Sequence, residues 1–286
     1  MVLVPAEPLR ARRPDEHFAD EAVAAVEAGV AVALVDHDAL TEPEWAGGTT
    51  RAVRQVPESG GEAVYRGWML RSEQYSAFAG ALAGRGMTLR TGAVDYRRAH
   101  ELPGWYAALA SVTPESVWTR GDGREDFWAA CGRLGAGPAV LRDYVKSMKH
   151  YWDEAAFIPD VADLPAAWKI ASRFRELRDE EFTGGFVLRR FEDFTSAEVR
   201  TWWVDGACRL VTAHPDTPDT PAPENLDLAW LAPLVESLGL AFVTVDLVLR
   251  ADGVWRVVEL GDGQVSDRPS SADPAAFMAA ILPGRP

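Results

Sequence analysis

The sequence predicts an α/β domain followed by an antiparallel α+β region, and three observations carry that prediction. A strand–helix–strand unit opens the chain. Two Asp-Gly hairpins, at Asp205-Gly206 and Asp252-Gly253, mark the last third. Between them lie helical patterns punctuated by Pro103-Gly104 and Gly121-Asp122-Gly123. At 286 residues with 48% hydrophobic and 25% charged residues, the chain has the composition of a globular protein with room for a large core.

The elements follow in order. Met1 to Pro5 reads as a buried strand. Phe18, Ala22, Val23 and Val26 recur at helical spacing and end at Gly29, a residue suited to the left-handed stop of a helix. Val30 to Val35 is a second strand, so the unit is expected to be parallel and right-handed. Val64 to Leu70 and Met87 to Arg90 read as strands. Ser72 to Gly84 reads as a helix with Ser72 as its N-cap. Residues 100–135 read as helical, Pro138 to Val145 as strand, and Asp163 to Glu180 as a helix. Phe186 to Phe191 is a strand. Val199 to Val204 with Ala207 to Ala213, and Phe242 to Ala251 with Val254 to Leu260, are the two hairpins, since Asp-Gly supplies the positive φ of a type I′ turn. Leu226 to Leu238 is the helix between them.

Composition excludes several function classes. The net charge of −14 argues against a broad nucleic-acid surface. No apolar run reaches membrane-spanning length, and the N-terminus lacks a signal-peptide layout. Cys131 and Cys208 are too few for a disulfide framework and fit a reducing, cytoplasmic setting. Three of the 29 basic residues are lysines, and Lys146 and Lys149 fall in one short motif.

The second hairpin points to a metal. With a two-residue loop, Asp246 and Glu259 stand directly opposite on one face, their Cβ atoms about 5 Å apart. Two like charges at that spacing repel by about 3 kcal/mol at an effective dielectric of 20. The neighbouring positions are apolar, so the pair calls for a counter-charge. A divalent cation is the simplest, with Mg²⁺ suited to a few carboxylates plus phosphates; an arginine for each carboxylate is the alternative, and a bulge in either strand would break the register. Asp262, bracketed by Gly261 and Gly263, adds a third carboxylate. In the first hairpin, Glu198, Arg200 and Trp202 share a face by the period of two, and Arg209 is expected opposite Trp202. Two guanidinium forks on one face suit an anion, or Glu198 and Arg200 form a local ion pair. Arg142 and Lys146 share a strand face if that strand continues. His150 and His214 lie near these motifs, but no ligand spacing links the five histidines, so a histidine–metal site is not expected.

Together these motifs resemble the ATP-grasp superfamily. The stretch from Val243 to Glu259 is similar to its paired metal-binding strands, EVRTWWVDG (Glu198 to Gly206) to its arginine-bearing strand, GGFVLRRFED (Gly184 to Asp193) to the strand entering the adenine hinge, and VLRDYVKSMKHYW (Val140 to Trp152) to its phosphate-lysine strand. A closer resemblance is to a clade with an N-terminal arginine–tryptophan motif, here Tyr65-Arg66-Gly67-Trp68, and an ending like ELGDGQVSD (Glu259 to Asp267).

The resemblance implies a Rossmann-like N-terminal domain over residues 1–115, a smaller ATP-grasp lobe over 116–184 and a C-terminal lobe with the metal site over 185–286. It implies ATP and Mg²⁺ as cofactors. Lys146, with Arg142 or Arg189 in place of a second lysine, would meet the phosphates. Glu192 would sit near the adenine or ribose, with Glu198 beside the nucleotide. Arg200 would stabilise the transferred phosphoryl group, and Arg66 would hold the acceptor carboxylate. Asp246 and Glu259 would bind the metal. Gly261 stands where the family has asparagine, so Asp262 or Gln264 takes that place. The implied activity is carboxylate–amine ligation through an acyl phosphate, on small molecules or on a protein acceptor. A kinase and a nucleotide-binding module without turnover are the alternatives on this fold.

Overall fold

The computed structural model describes residues 1–42, 47–58 and 60–282. The chain forms two compact units, and neither is continuous in sequence. One comprises Met1–Ala99, Ala197–Leu247 and Glu259–Pro286, and the other His100–Ser196 and Val248–Val258.

The larger unit holds a parallel sheet. Val2–Glu7 pairs in parallel with Val32–Val35 on one side and Gly61–Tyr65 on the other, and Met87–Leu89 follows Gly61–Tyr65, also in parallel. Arg10–Pro14, an arginine-rich strand with no hydrophobic pattern to announce it, folds back antiparallel onto the first strand. The helix Ala19–Glu27 begins after a single 3-10 turn and stops at Gly29, whose φ of 74° is the left-handed value expected there. The third strand ends at Tyr65, five residues before the expected Leu70, because the Arg66 backbone leaves the sheet toward other partners. The helix Ser72–Ala83 is capped by Arg71 rather than by Ser72, which is buried in its first turn.

An antiparallel sheet completes this unit, in the order Ala207–Ala213, Val199–Val204, Phe242–Leu249, Trp255–Asp262. One apolar cluster joins Val2, Val4, Phe18 and Val64 to Trp202, Phe242 and Phe277. Trp202 and Phe277 meet edge to face, their ring centroids 4.7 Å apart. A second cluster packs Tyr65, Tyr75, Phe78 and Leu82 on the parallel sheet's other face.

Both Asp-Gly hairpins form, and each departs from the simple register by one residue. Asp205 and Gly206 take φ values of 50° and 77°, the left-handed pair of a type I′ turn. A bulge then falls between Trp202 and Trp203, so Trp202 faces Leu210 and Arg200 faces Thr212. Arg209 is thereby turned outward and exposed, and the two-arginine face expected of this hairpin does not form. In the second hairpin the Arg250 carbonyl accepts from Gly253 N and the Arg250 amide donates to the Val254 carbonyl. The loop is therefore three residues, Ala251 to Gly253, closed by Gly253 at φ 82°. At the far end Gly263 N donates to the Phe242 carbonyl, which is the register of a two-residue loop. The extra residue is absorbed between these ends.

The smaller unit has a four-stranded sheet in the order Ser116–Trp118, Val187–Arg190, Ala139–Arg142, Phe157–Ile158. Arg124–Leu134 and Leu164–Arg178 cover it, and Phe127, Phe174 and Phe186 fill the space between. The second helix is capped by Asp163, whose carboxylate accepts from Ala166 N, and Pro165 occupies its first turn. No described helix is long and apolar enough to cross a membrane.

Candidate functional site

The antiparallel sheet positions the charged cluster. Arg200 and Asp246 are cross-strand partners on neighbouring strands, and the strands on either side are apolar. The guanidinium grips the carboxylate with two parallel bonds, Nε to Oδ1 at 2.8 Å and Nη2 to Oδ2 at 2.8 Å. Arg200 Nη1 donates to the Asp267 carbonyl at 3.0 Å, and Nη2 lies 3.2 Å from His214 Nε2. Burial disfavours the charged form of both partners. Against it, the Arg200 guanidinium and then His214 hold Asp246 well below the usual carboxylate range. Asp246, with Glu259 and Asp267 further off, likewise keeps Arg200 charged.

His214 follows directly on the strand Ala207–Ala213. The bulge at Trp202 shifts Val199 opposite Ala213, and one step further His214 comes beside Glu198, its Nε2 3.7 Å from Oε2. His214 Nε2 is also 3.6 Å from Asp246 Oδ2. Ligand atoms of Glu198, His214 and Asp246 all lie within 4.8 Å of one another, Glu198 half-buried and the other two buried. In the unbulged register Glu198 faces Ala213, which hides His214 from a reading of the spacing; the bulge itself leaves no mark in the sequence. This corrects the expectation that no histidine joins a cation cluster.

Carboxylates outnumber the cation here. Asp246, Glu198 and Glu259 stand about one guanidinium, and a buried excess of negative charge is what a divalent cation neutralises. The donors present therefore fit such an ion.

Asp262 and Gln264 lie elsewhere. Both are fully buried, and together they tie the strand end to the parallel sheet. Gln264 Oε1 accepts from Tyr65 N at 2.9 Å, its Nε2 donates to Tyr75 Oη, and its carbonyl accepts from Gly67 N at 3.2 Å. Asp262 Oδ1 accepts from the Gln264 amide at 3.0 Å and side chain at 3.2 Å. Burial pushes the Asp262 carboxyl up to about 7, against the opposing pull of its hydrogen bonds. An enclosed carboxyl in this position has no face to offer a cation shared with Asp246.

Arg66 is fully enclosed as well. Its Nε and Nη2 donate to the two oxygens of Glu21 at 2.8 and 3.2 Å, and Nη1 donates to the carbonyls of Gly263 and Gln264. The guanidinium also lies 4.9 Å from the Phe277 ring centroid and 5.6 Å from that of Trp202. The arginine–tryptophan motif is thus a structural lock, and no edge of Arg66 is left for the acceptor carboxylate expected of it.

The remaining candidates lie in the smaller unit. Its strand stops at Arg142, because Asp143 Oδ1 accepts from the amides of Val145 and Lys146 at 2.7 Å each and folds the chain into a tight turn. Arg142 and Lys146 are therefore on opposite arms of a turn and do not share a strand face. Arg142 is buried and donates to the Val145 carbonyl at 2.6 Å, whereas Lys146 is half-buried. Arg189 is buried and donates to the carbonyls of Val257 and Val258 and to Thr113 Oγ1, so it serves the packing of this unit. Glu192 is clasped by Arg256 at 2.8 Å through both oxygens and by Arg250 at 3.2 Å.

A parallel sheet joined to an antiparallel one, and a second unit with its own sheet, is the architecture of ATP-grasp proteins. The solved structures similar to this chain bear that out along its whole length. They include the RimK domain protein ATP-grasp from Sphaerobacter thermophilus DSM 20745 at 19% identity, covering 98% of this chain and 99% of that one with a TM-score of 0.62. D-cycloserine synthetase DcsG matches at 16% identity over 98% of both chains, also with a TM-score of 0.62. The ATP-grasp ligase PsnB, solved with a minimal precursor, Mg and ADP, matches at 14% identity over 98% of this chain and 96% of that one, TM-score 0.55. No curated protein matches the chain. Residues 133–281 match an ATP-grasp domain family, the third family of its clade, and the chain belongs to that family.

Proposed function

We propose that the protein is an ATP- and Mg²⁺-dependent ligase that joins a carboxylate to an amine through an acyl phosphate. The observation that carries this reading is the Arg200–Asp246 fork set among an excess of carboxylates. Phosphoryl transfer asks for positioning and for charge where charge develops, and little covalent work from the protein. Asp246 and Glu259, with Glu198 at the rim, would hold the cation, which supplies neutralisation of the nucleotide's phosphates. Arg200 stabilises the transferred group with the donors it now gives to Asp246. Lys146, on its Asp143-braced turn, supplies charge to the phosphates, and the turn geometry sets its position before ligand arrives. Glu192, fixed by two arginines, presents a rigid carboxylate edge to the adenine or ribose. ADP and Mg bound to PsnB, and the synthetase neighbours, support the same assignment. A small carboxylate and a small amine are the proposed substrates, in the cytoplasm.

The test is ADP release from Mg·ATP across a panel of carboxylates with hydroxylamine as the amine. Formation of a hydroxamate alongside ADP supports ligation through an acyl phosphate. ADP release with a phosphorylated alcohol as product and no hydroxamate would overturn it in favour of a kinase.

A further inference from the structure

We infer that Glu198, His214 and Asp246 form a mixed imidazole–carboxylate cation site, selective for Mn²⁺ over Mg²⁺, which Arg200 occupies when no ion is bound. The inference deepens the proposed function at the same centre and rests on it only in taking Asp246 as a cation ligand.

The geometry of one nitrogen carries the argument. Arg200 Nη2 is held by Asp246 Oδ2 at 2.8 Å and by His214 Nε2 at 3.2 Å. A guanidinium has donors only, so Nε2 meets it with a lone pair. Glu198 Oε2 lies 3.7 Å from the same Nε2. The positive nitrogen thus sits where the lone pairs of these side chains converge, the place a metal ion takes in a site of this kind. On the other side of the ring, Nδ1 is 3.2 Å from the Asp216 amide nitrogen and 3.8 Å from the Asp216 carboxylate. A carboxylate on that side favours the proton on Nδ1 and the lone pair on Nε2, the orientation that suits ligation. Mg²⁺ binds oxygen and dehydrates reluctantly, whereas imidazole nitrogen raises affinity for Mn²⁺ and the later divalent metals.

Two consequences separate this site from an all-oxygen one. The histidine sets the selectivity, and Arg200 competes with the ion. Removing the arginine should therefore tighten ion binding, where an ordinary supporting residue would weaken it.

The test uses the full chain without nucleotide or carboxylate substrate, so its outcome is independent of ligase turnover. Free Mn²⁺ is followed by its electron paramagnetic resonance signal during titration, and Mg²⁺ is added as competitor. Arg200→Met is expected to bind Mn²⁺ at least about tenfold more tightly than the parent, and His214→Ala at least about tenfold less tightly, with Mg²⁺ affinity within about twofold. His214→Gln, which keeps an acceptor toward Arg200, guards against a folding defect in the alanine variant and is expected to lose the same selectivity. Pulsed measurement of nitrogen coupling to bound Mn²⁺ in the Arg200→Met protein reads imidazole ligation directly, and the coupling is expected to vanish in Arg200→Met with His214→Gln. Equal affinity for the two ions, no nitrogen coupling, or no Mn²⁺ binding by Arg200→Met would each overturn the inference. The hydroxamate assay with Mg²⁺ would still decide the ligase reading alone.

Discussion

Two arginine–carboxylate forks lie in the larger unit, Arg66 on Glu21 and Arg200 on Asp246, and they resemble each other closely. Each guanidinium is gripped through Nε and Nη2, and each also donates to a backbone carbonyl. Their surroundings differ in sign. Glu21 has a second arginine near it, Arg268, whose Nε is 3.5 Å away, and aromatic rings cover Arg66. Asp246 has Glu198 and His214 near it, and Arg200 keeps 11% of its side chain exposed. A fork with surplus positive charge and an aromatic lid is finished. A fork with surplus negative charge and an open rim has room for a ligand. The comparison teaches that the charge balance around a buried pair, more than its burial, separates a lock from a site.

The comparison is tested most severely by removing each arginine. Arg66→Met leaves Glu21 buried without its bidentate partner, and we expect about 3–5 kcal/mol of lost stability that no divalent cation restores, read by urea unfolding with and without Mn²⁺. Arg200→Met is expected to regain stability when Mn²⁺ is added; equal behaviour of the two variants would break the distinction. Next in size, Asp246→Asn is expected to lower ADP release by about 100-fold or more, with the cooperativity of apo-protein unfolding little changed.

Asp262 sharpens the same contrast, as a carboxyl that lies beside the lock and outside the site. Its folded value is raised by burial to about 7, above the ordinary 3.8 of an unfolded chain. The folded state therefore holds its proton more tightly, and stability attributable to this group falls as pH rises from about 4 to 7. Asp262→Asn is expected to flatten that loss, giving a melting temperature a few degrees above the parent at pH 8 and close to it at pH 4. An unchanged pH profile would place the carboxyl in a more polar setting than the structure does. Smallest of all, Arg209→Ala is expected to change stability by no more than about 0.5 kcal/mol and to leave ADP release unaltered, since the bulge turns Arg209 to solvent. A large loss of activity would restore it to the site.

Most strands and helices are legible in the sequence because their periodicity and stops are local properties. The Asp205-Gly206 turn, Gly29 and the Asp163 cap sit where the residues themselves demand them. The Arg200 and Asp246 strands are legible for the same reason. What escapes is set by single-residue shifts in pairing. The bulge at Trp202 exposes Arg209 and brings in His214, and neither change alters any local preference. Arg10–Pro14 escapes because a short, exposed edge strand needs no hydrophobic alternation. Arg66 and Asp262 carry the residue types of a site, but their burial depends on partners far away in the chain.

The Gln264 pin has a consequence in time. Tyr65 N and Gln264 are 199 residues apart, and the larger unit also takes its segments from three stretches of the chain. During synthesis at about 5–20 residues per second, the edge of the parallel sheet waits on the order of 10–40 seconds for the side chain that closes it. Over that interval the strand Gly61–Tyr65 is exposed to whatever the nascent chain meets. Translation speed downstream of Tyr65 is thus a lever on the yield of folded protein, independent of the final stability.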